Sequence, residues 1–399
     1  AKVRKGTNET YGDVLVRLLQ SKGWTVYDKS KRKPVAPHND KYILKGTLRH
    51  DGSSRFGPEN QYGIFPSGAF AWQLGEEDFV GDAVSTLKLR LSAGVTGNQD
   101  GLGYGNFVAR QRFTDGLNGF IVQNNGEVNT NGLRIVATDV PDLKWEPTLN
   151  LNVGLDFGFG SDRLSGSIDV YKSTTTDILL RTPPAAPAVD PFQFGNVDAK
   201  IVNQGIEFAL AYDWIQKEDV NFSTSFNIAY NENEVQDFAG LIDTGAINGQ
   251  GLSGAFAQRF AAGHSLFSYY MAEYTGLDSA GQPTFKDQNG DGVGDVFQDK
   301  VFVGEDALPD ITTGLSLNLR VKRFDLAAYF TGQFGFSVYN NTANGLFTSG
   351  SITNARNVTS ELANSSEAAG TSADVSTRYL EKGDFVRFQN ATLGYNWPL

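Results

Sequence analysis

With 399 residues, a net charge of −11 and no cysteine, the chain excludes disulfides, thiolate metal sites and a cysteine nucleophile, and its acidity argues against nucleic acid as a partner. The length admits either two soluble domains or one large barrel. A composition of 45 Gly, 28 Phe and 15 Tyr with a single Met suits long strands and turns, and no apolar run of 18 residues exists to form a helical span.

Residues 1–39 form an unassigned N-terminal segment. Asp13 is placed to cap a short amphipathic helix from Val14 to Lys22, with Gly23 as its stop, ahead of the basic run from Lys29 to Pro34. No apolar stretch of a secretory signal follows Ala1, so an exported protein with this sequence is expected to be a processed or partial chain.

From residue 40 to 399 the reading is all-β. Tyr42, Leu44, Gly46 and Leu48 alternate with Ile43, Lys45, Thr47 and Arg49, and a second strand is expected at Ala69–Leu74. Leu87, Leu89, Leu91, Ala93 and Val95 oppose Lys88, Arg90, Ser92, Gly94 and Thr96. Leu149, Leu151, Val153, Leu155 and Phe157 oppose Asn150, Asn152, Gly154 and Asp156, and Ile168 and Val170 carry the next arm. Val202–Trp214 and Phe222–Tyr230 form a hairpin about a turn at 216–219. Each arm exceeds the roughly 5–6 residues of an ordinary strand and reaches the roughly 9–11 that a tilted strand needs to cross a bilayer. Tyr212 and Trp214 near the turn and Tyr230 at the far end suit two interfacial girdles. Leu315–Val321, Leu326–Phe330 and Phe385–Tyr395 complete the series.

The connections alternate in length. Short turns at 160–163, 216–219 and 322–324 contrast with long polar loops at about 98–147, 178–202, 233–263 and 339–382, an asymmetry found in outer-membrane barrels and unexplained by a soluble sandwich. If 264–275 and 310–322 both run inward, an outward crossing must separate them, and Pro283–Asp287 is the candidate. The fold class expected is therefore a transmembrane antiparallel β-barrel in contact with outer-membrane lipid. Its lumen face carries Lys88, Arg90, Asn150, Asn152, Glu207, Asn227 and Asn318; on that face Arg90→Ser is expected to leave the fold largely intact.

No catalytic constellation emerges, so the chain does not read as an enzyme. Aromatic residues in the long loops, namely Tyr104, Phe107, Phe113, Phe192, Phe194, Phe256, Phe260 and Phe347, are candidates for ligand contact, flat rings covering apolar faces while amides and carboxylates orient the ligand. Asp287, Asn289, Asp291, the Val293 carbonyl and Asp295 have the spacing of the first half of a Ca2+ loop, with Gly292 at the sharp turn. The register then slips, placing Gln298 at the twelfth position and the acid, Asp299, one residue late.

Several of these stretches together resemble the SusC-like TonB-dependent transporters of Bacteroidetes outer membranes. The resemblance is carried by Arg49–Gly57 and Gly63–Ser67, by Leu87–Asn98 and Trp145-Glu-Pro147, by Val202–Glu207 and the 287–291 loop, and by Phe385–Tyr395. It implies a portion of a 22-stranded plugged barrel that imports oligosaccharides, or peptides, beneath a SusD-like surface lipoprotein, energised by TonB through a segment this chain lacks. About twelve or thirteen strands are legible, fewer than such a barrel needs. The alternative is a small self-contained outer-membrane barrel acting as a passive pore or surface-binding protein.

Overall fold

The computed structural model describes residues 41–397 except 82, 103–106, 117–120, 123–127, 130–131, 138, 183–192, 249–251 and 253. Residues 1–39, with the helix expected there, lie outside the described residues. The chain divides into two compact units, 1–201 and 202–399. The first contains long strands β1 (Tyr42–Gly52), β2 (Tyr62–Gln73), β3 (Val84–Asn98), β4 (Glu146–Phe159) and β5 (Leu164–Thr175). The second is built on β6 (Lys200–Gln216), β7 (Val220–Gln236), β8 (Ile311–Val321), β9 (Phe324–Phe334) and β10 (Phe385–Tyr395).

Within the first unit each strand pairs antiparallel with the next, and the register separates two chemistries. Trp72, Leu89, Leu155 and Ile168 form one cross-strand row, and Phe70, Leu91, Val153 and Val170 another. One residue along, Arg90, Gly154 and Asp169 share the opposite face, as do Ser92, Asn152 and Tyr171. The second unit repeats the arrangement: Phe226, Leu315, Phe330 and Phe388 lie in one row, and Asn227, Gly314, Thr331 and Arg387 in a row on the other face. Because a strand's side chains alternate with period two, a slip of one residue would exchange the faces.

The apolar rows are not buried. Leu91, Leu149, Leu151, Val153, Val170, Leu326, Phe388 and Leu393 are exposed, a surface that water would penalise and lipid would not. Strands of 11 to 17 residues match the span this requires. Pro66 fits inside β2 because it pairs there with Leu48 of β1, while the ladder to β3 runs only from Ser67 to Gln73. Its missing N–H therefore costs no bond. That proline and Gly63 hid the first half of β2 from sequence reading.

The expected outward crossing at Pro283–Asp287 is corrected by the structure. β7 pairs directly with β8 from Val220↔Val321 to Tyr230↔Ile311. The intervening segments Ile242–Ile247, Ala255–Phe260, Ser268–Ala272 and Lys300–Asp306 make a separate four-stranded sheet, and Tyr274–Leu277 with Pro283–Phe285 a two-stranded one. The parity argument assumed that every alternating segment crosses a bilayer. At five residues Ser268–Ala272 is too short to do so, and its buried Tyr269 and Met271 serve a local core. The long connections thus run 99–145, 176–199, 237–310 and 335–384, and twelve or thirteen wall strands reduce to the ten described.

Leu89→Arg places a cation on the apolar face near mid-strand. It is expected to cost about 2–4 kcal/mol in urea unfolding from lipid bilayers, and an unchanged midpoint would show that the faces are reversed.

Candidate functional site

On the polar face of the first unit, Arg90 spans three strands. Its Nε donates to both Asp156 oxygens at 2.9 and 3.0 Å, and its two terminal nitrogens donate to the Asp169 oxygens at 2.9 and 2.8 Å. Lys88 Nζ adds a 3.4 Å ion pair with Asp156. The guanidinium can cross β4 only because position 154 is glycine: a Cβ there would stand 2.3 Å from Asp169 Oδ1 and 2.7 Å from Arg90 Cζ. A planar fork with two bidentate partners holds this charge where a lysine would reach one carboxylate. Nearby Asn150 Oδ1 accepts from Ser173 Oγ at 2.7 Å. The expectation that Arg90→Ser is harmless is therefore withdrawn, since the change would strip Asp169 of its cation and leave Asp156 only the longer 3.4 Å contact with Lys88.

The second unit uses the same device with neutral groups. A Cβ on Gly314 would lie 2.6 Å from Asn227 Oδ1 and 3.1 Å from the Tyr329 hydroxyl, so this glycine makes room for both side chains. Beside them opens a cavity of about 670 Å³ whose lining includes Asn227, Tyr329, Thr331, Gln333, Phe385 and Arg387. Arg387 rests over the Phe385 ring at 4.8 Å. Amide, hydroxyl and guanidinium groups beside two rings can hydrogen-bond a polar ligand and cover its apolar face.

The long connections carry the buried cores that the strands lack. In the first unit Phe56, Leu102, Val108, Ala109, Leu143 and Leu179 cluster, with Trp145 and Phe194 against them. Trp145 packs on Phe56 at 4.8 Å and edge-on to Phe65 at 5.4 Å, while Glu146 accepts from the Leu179 N–H at 2.8 Å and from Asn98 Nδ2 at 2.9 Å. In the second unit Leu252, Ala257, Tyr269, Met271, Ala373 and Val375 cluster, so the 237–310 and 335–384 connections share one core. Tyr269 donates its hydroxyl to the Ser337 carbonyl at 3.0 Å and Tyr339 to that of Asp374 at 3.1 Å. Asn233 ties this assembly to the strands, donating to Asn203 Oδ1 at 2.8 Å and accepting from the Leu266 N–H at 2.7 Å.

The acidic loop is organised by the residue that spoiled its register. Asp299 is fully buried and accepts backbone N–H bonds from Asp295, Gln288 and Asn289 at 2.7, 2.9 and 3.0 Å. The Asp295 N–H, followed by the other two donors, holds its carboxyl below the usual aspartate range. Asp287 accepts from the N–H groups of Gly290 and Gly292, Asp291 accepts from Val293, Asn289 from Asp291, and Asp295 from Phe297 and Gln298. Among the described residues no group of three or more His, Asp or Glu side chains is gathered to hold a metal ion.

The candidate aromatics do not form one site. Tyr104 and Phe192 lie outside the described residues, and Phe113 is described only through its backbone pairing with Ile135. Phe107 is exposed beneath Arg110, and Phe194 packs on the first loop core. Phe260 is 1 % exposed and packs on Phe238, which leaves it no surface for a ligand. Phe347 ends the short helix Asn341–Leu346. Phe256 lines a cavity, a smaller one in the second unit that also takes in Arg259, Tyr270, Lys300 and Asp374. Sequence reading missed those four, together with Asp156, Asp169, Gly154 and Gly314; a glycine in mid-strand on the polar face was the available signal for the last two.

Comparison with known proteins agrees with this architecture. Residues 24–398 match the family model described as TonB dependent receptor-like, beta-barrel. The chain is 32% identical over 389 residues to TonB-dependent receptor P3 of Formosa agariphila, covering 90% of this chain and 37% of that protein. It is 30% identical over 383 residues to TonB-dependent receptor SusC of Bacteroides thetaiotaomicron, covering 90% and 36%. A solved structure of the RagAB peptide importer in its closed-closed state superposes with a TM-score of 0.74 at 26% identity, covering 90% of this chain and 40% of that one. The chain thus spans well under half the length of these relatives.

Arg90→Ser is expected to lower stability by about 1–3 kcal/mol in bilayer unfolding, and Arg90→Ser/Asp156→Ser to recover part of that loss; additive losses would show that the carboxylates do not depend on Arg90. Asp299→Asn should speed proteolysis within 287–299 at neutral pH. Because its carboxyl is held below the ordinary value of 3.8, its stabilising contribution is complete above that value and is lost as pH falls through the lower folded one. Hydrogen exchange at the 288, 289 and 295 amides as the pH is lowered reads this directly.

Proposed function

This chain belongs to the TonB-dependent receptor-like β-barrel family and is an outer-membrane protein, and from that premise we propose that it forms part of the wall and outer loops of an active importer. Residues 40–399 supply strands and loops, and residues 1–39 are given no role. The full protein takes up oligosaccharides, or peptides, energised by TonB, with a SusD-like surface lipoprotein over its outer mouth. Kinship to a SusC protein supports the first ligand class and the lipoprotein, and likeness to a peptide importer supports the second.

The observation that carries the reading is a polar face fitted with polar side chains in both units. Asn150 and Asn152 on one unit, beside the ion-paired Lys88 and Arg90, and Asn227, Tyr329, Gln333 and Arg387 on the other, present polar groups to a solute rich in hydroxyl or amide groups. Of the candidate loop aromatics, Phe107 is exposed and Phe256 lines a cavity wall, so both can meet a ligand. Nothing in this reading requires bond chemistry, and the protein is proposed as a transporter with no enzymatic step.

Uptake of labelled oligosaccharide and peptide mixtures by cells expressing the full-length protein, with and without TonB, tests the proposal. Uptake of one class that ceases without TonB is the expected result, and uptake indifferent to TonB would favour a passive pore. Arg387→Ala removes one guanidinium from the 670 Å³ cavity and is expected to slow that uptake roughly tenfold, the worth of one charge-assisted hydrogen bond, at an unchanged level of folded protein.

A further inference from the structure

The smaller cavity in the second unit has a charge arrangement that the strands do not share. Its volume is about 260 Å³, and its lining includes apolar Leu252, Ala373 and Val375 together with Phe256, Arg259 and Lys300. The apolar floor is part of the buried loop core: Leu252, Ala373 and Val375 are 3, 9 and 5 % exposed. Phe297, also in the lining, is 80 % exposed.

The lining carries two neighbouring cations, Arg259 and Lys300. Arg259 lies over the Tyr270 ring at 3.7 Å and donates its Nε–H to Asp243 at 2.7 Å. A guanidinium has five N–H donors, so this pair leaves donors over. Tyr270 is held from its other side by Phe302, edge-on at 5.0 Å, and Phe302 is in turn stacked on His264 at 3.5 Å. Lys300 lies beside this pair on the strand Lys300–Asp306, half-buried, and no carboxylate comes within ion-pair distance of it among the described residues. Burial, only partly offset by Asp243, pushes its ammonium below the usual lysine range. A half-buried cation without a partner is costly, and an anion placed against it would recover that cost.

The lining also offers an acceptor. Asp374 takes a 2.7 Å hydrogen bond from Ser376 Oγ, and burial raises its carboxyl above the usual range. The volume falls short of the roughly 300–1,000 Å³ typical of a whole-ligand pocket. It suits one terminal residue of a longer chain.

We infer that this cavity is a subsite for a carboxylate-bearing terminal residue, its carboxylate against Lys300 and Arg259, its ring or side chain against Phe256 and Phe297, and a hydroxyl or N–H directed to Asp374. Two sources present this chemistry, a uronate at the end of an acidic oligosaccharide and the free C-terminal residue of a peptide. The inference deepens the import reading and rests on it for the ligand's arrival.

Calorimetry on the full-length protein in detergent, which needs no TonB, tests the subsite separately from transport. The probes are a hexuronate disaccharide with its methyl ester, and a tripeptide with its C-terminal amide. Binding of one acid at least about tenfold tighter than its neutral counterpart is expected, and the acid that binds identifies the source. Lys300→Met should remove that preference and Lys300→Arg should retain it. Phe297→Ala, at an exposed position, should weaken binding several-fold without altering the fold, which keeps the test open if Lys300→Met fails to assemble. The inference is overturned if neither acid is preferred to its neutral form, or if binding is unchanged in the folded Lys300→Met or Phe297→Ala protein. A protein that imports in a TonB-dependent way yet shows no acid preference fails this inference alone. One that binds the acid and does not import fails the transport reading alone.

Discussion

Each long strand of this protein must satisfy two media at once. Lipid offers no hydrogen bonds, so every N–H and C=O at membrane depth has to be paired with a neighbouring strand. The only freedom left is the alternation of side chains across the two faces. Leu89 and Arg90, adjacent in sequence, therefore belong to different solvents: one lies in a row of Trp72, Leu155 and Ile168, the other in a cluster with Asp156 and Asp169. Register here separates oil from charge, which is why ladders run uninterrupted over 11 residues between β7 and β8.

A wall built on that constraint has almost no core of its own, and the protein places its cores elsewhere. Both buried clusters are formed mainly by the long connections. This division explains the otherwise wasteful length of the loops. The 237–310 and 335–384 connections interlock through Tyr269, Tyr339, Met271 and Val375 and support a cavity on their shared core. Side chains held by packing bind with less ordering cost than side chains on free loops.

Glycine has a particular role on the polar face. Gly154 and Gly314 sit in mid-strand, where glycine ordinarily weakens a sheet. At both positions the missing Cβ is the space through which polar side chains meet, Arg90 with Asp169 over the first and Asn227 beside Tyr329 over the second. In the acidic loop Asp299 follows a similar economy. One buried carboxylate gathers three backbone N–H groups that the tight turn would otherwise leave unpaired.

Period-two alternation is a local property, so the sequence by itself determined the all-β class, most of the long strands in outline, the common face of Lys88, Arg90 and Asn150 in one unit and the placing of Asn227 opposite Phe226 in the other, and the contrast between short turns and long connections. The motifs that carry the family resemblance are short strings read one by one, and two of them, around Phe56 and Trp145, meet in one packed pair. What alternation cannot say is which partner a strand takes. Ser268–Ala272 lies in a stretch that parity makes an inward run, yet its short length and buried Tyr269 and Met271 commit it to a loop sheet. That choice removed an expected crossing. Phe256 and Phe260 look alike in sequence, and only the packed loops put one in a cavity wall and the other in the core. The pairing of Arg90 with two aspartates, the capping of the acidic loop by Asp299 and the approach of Lys300 to Arg259 join residues from 4 to 79 positions apart, distances over which only the tertiary fold decides what touches.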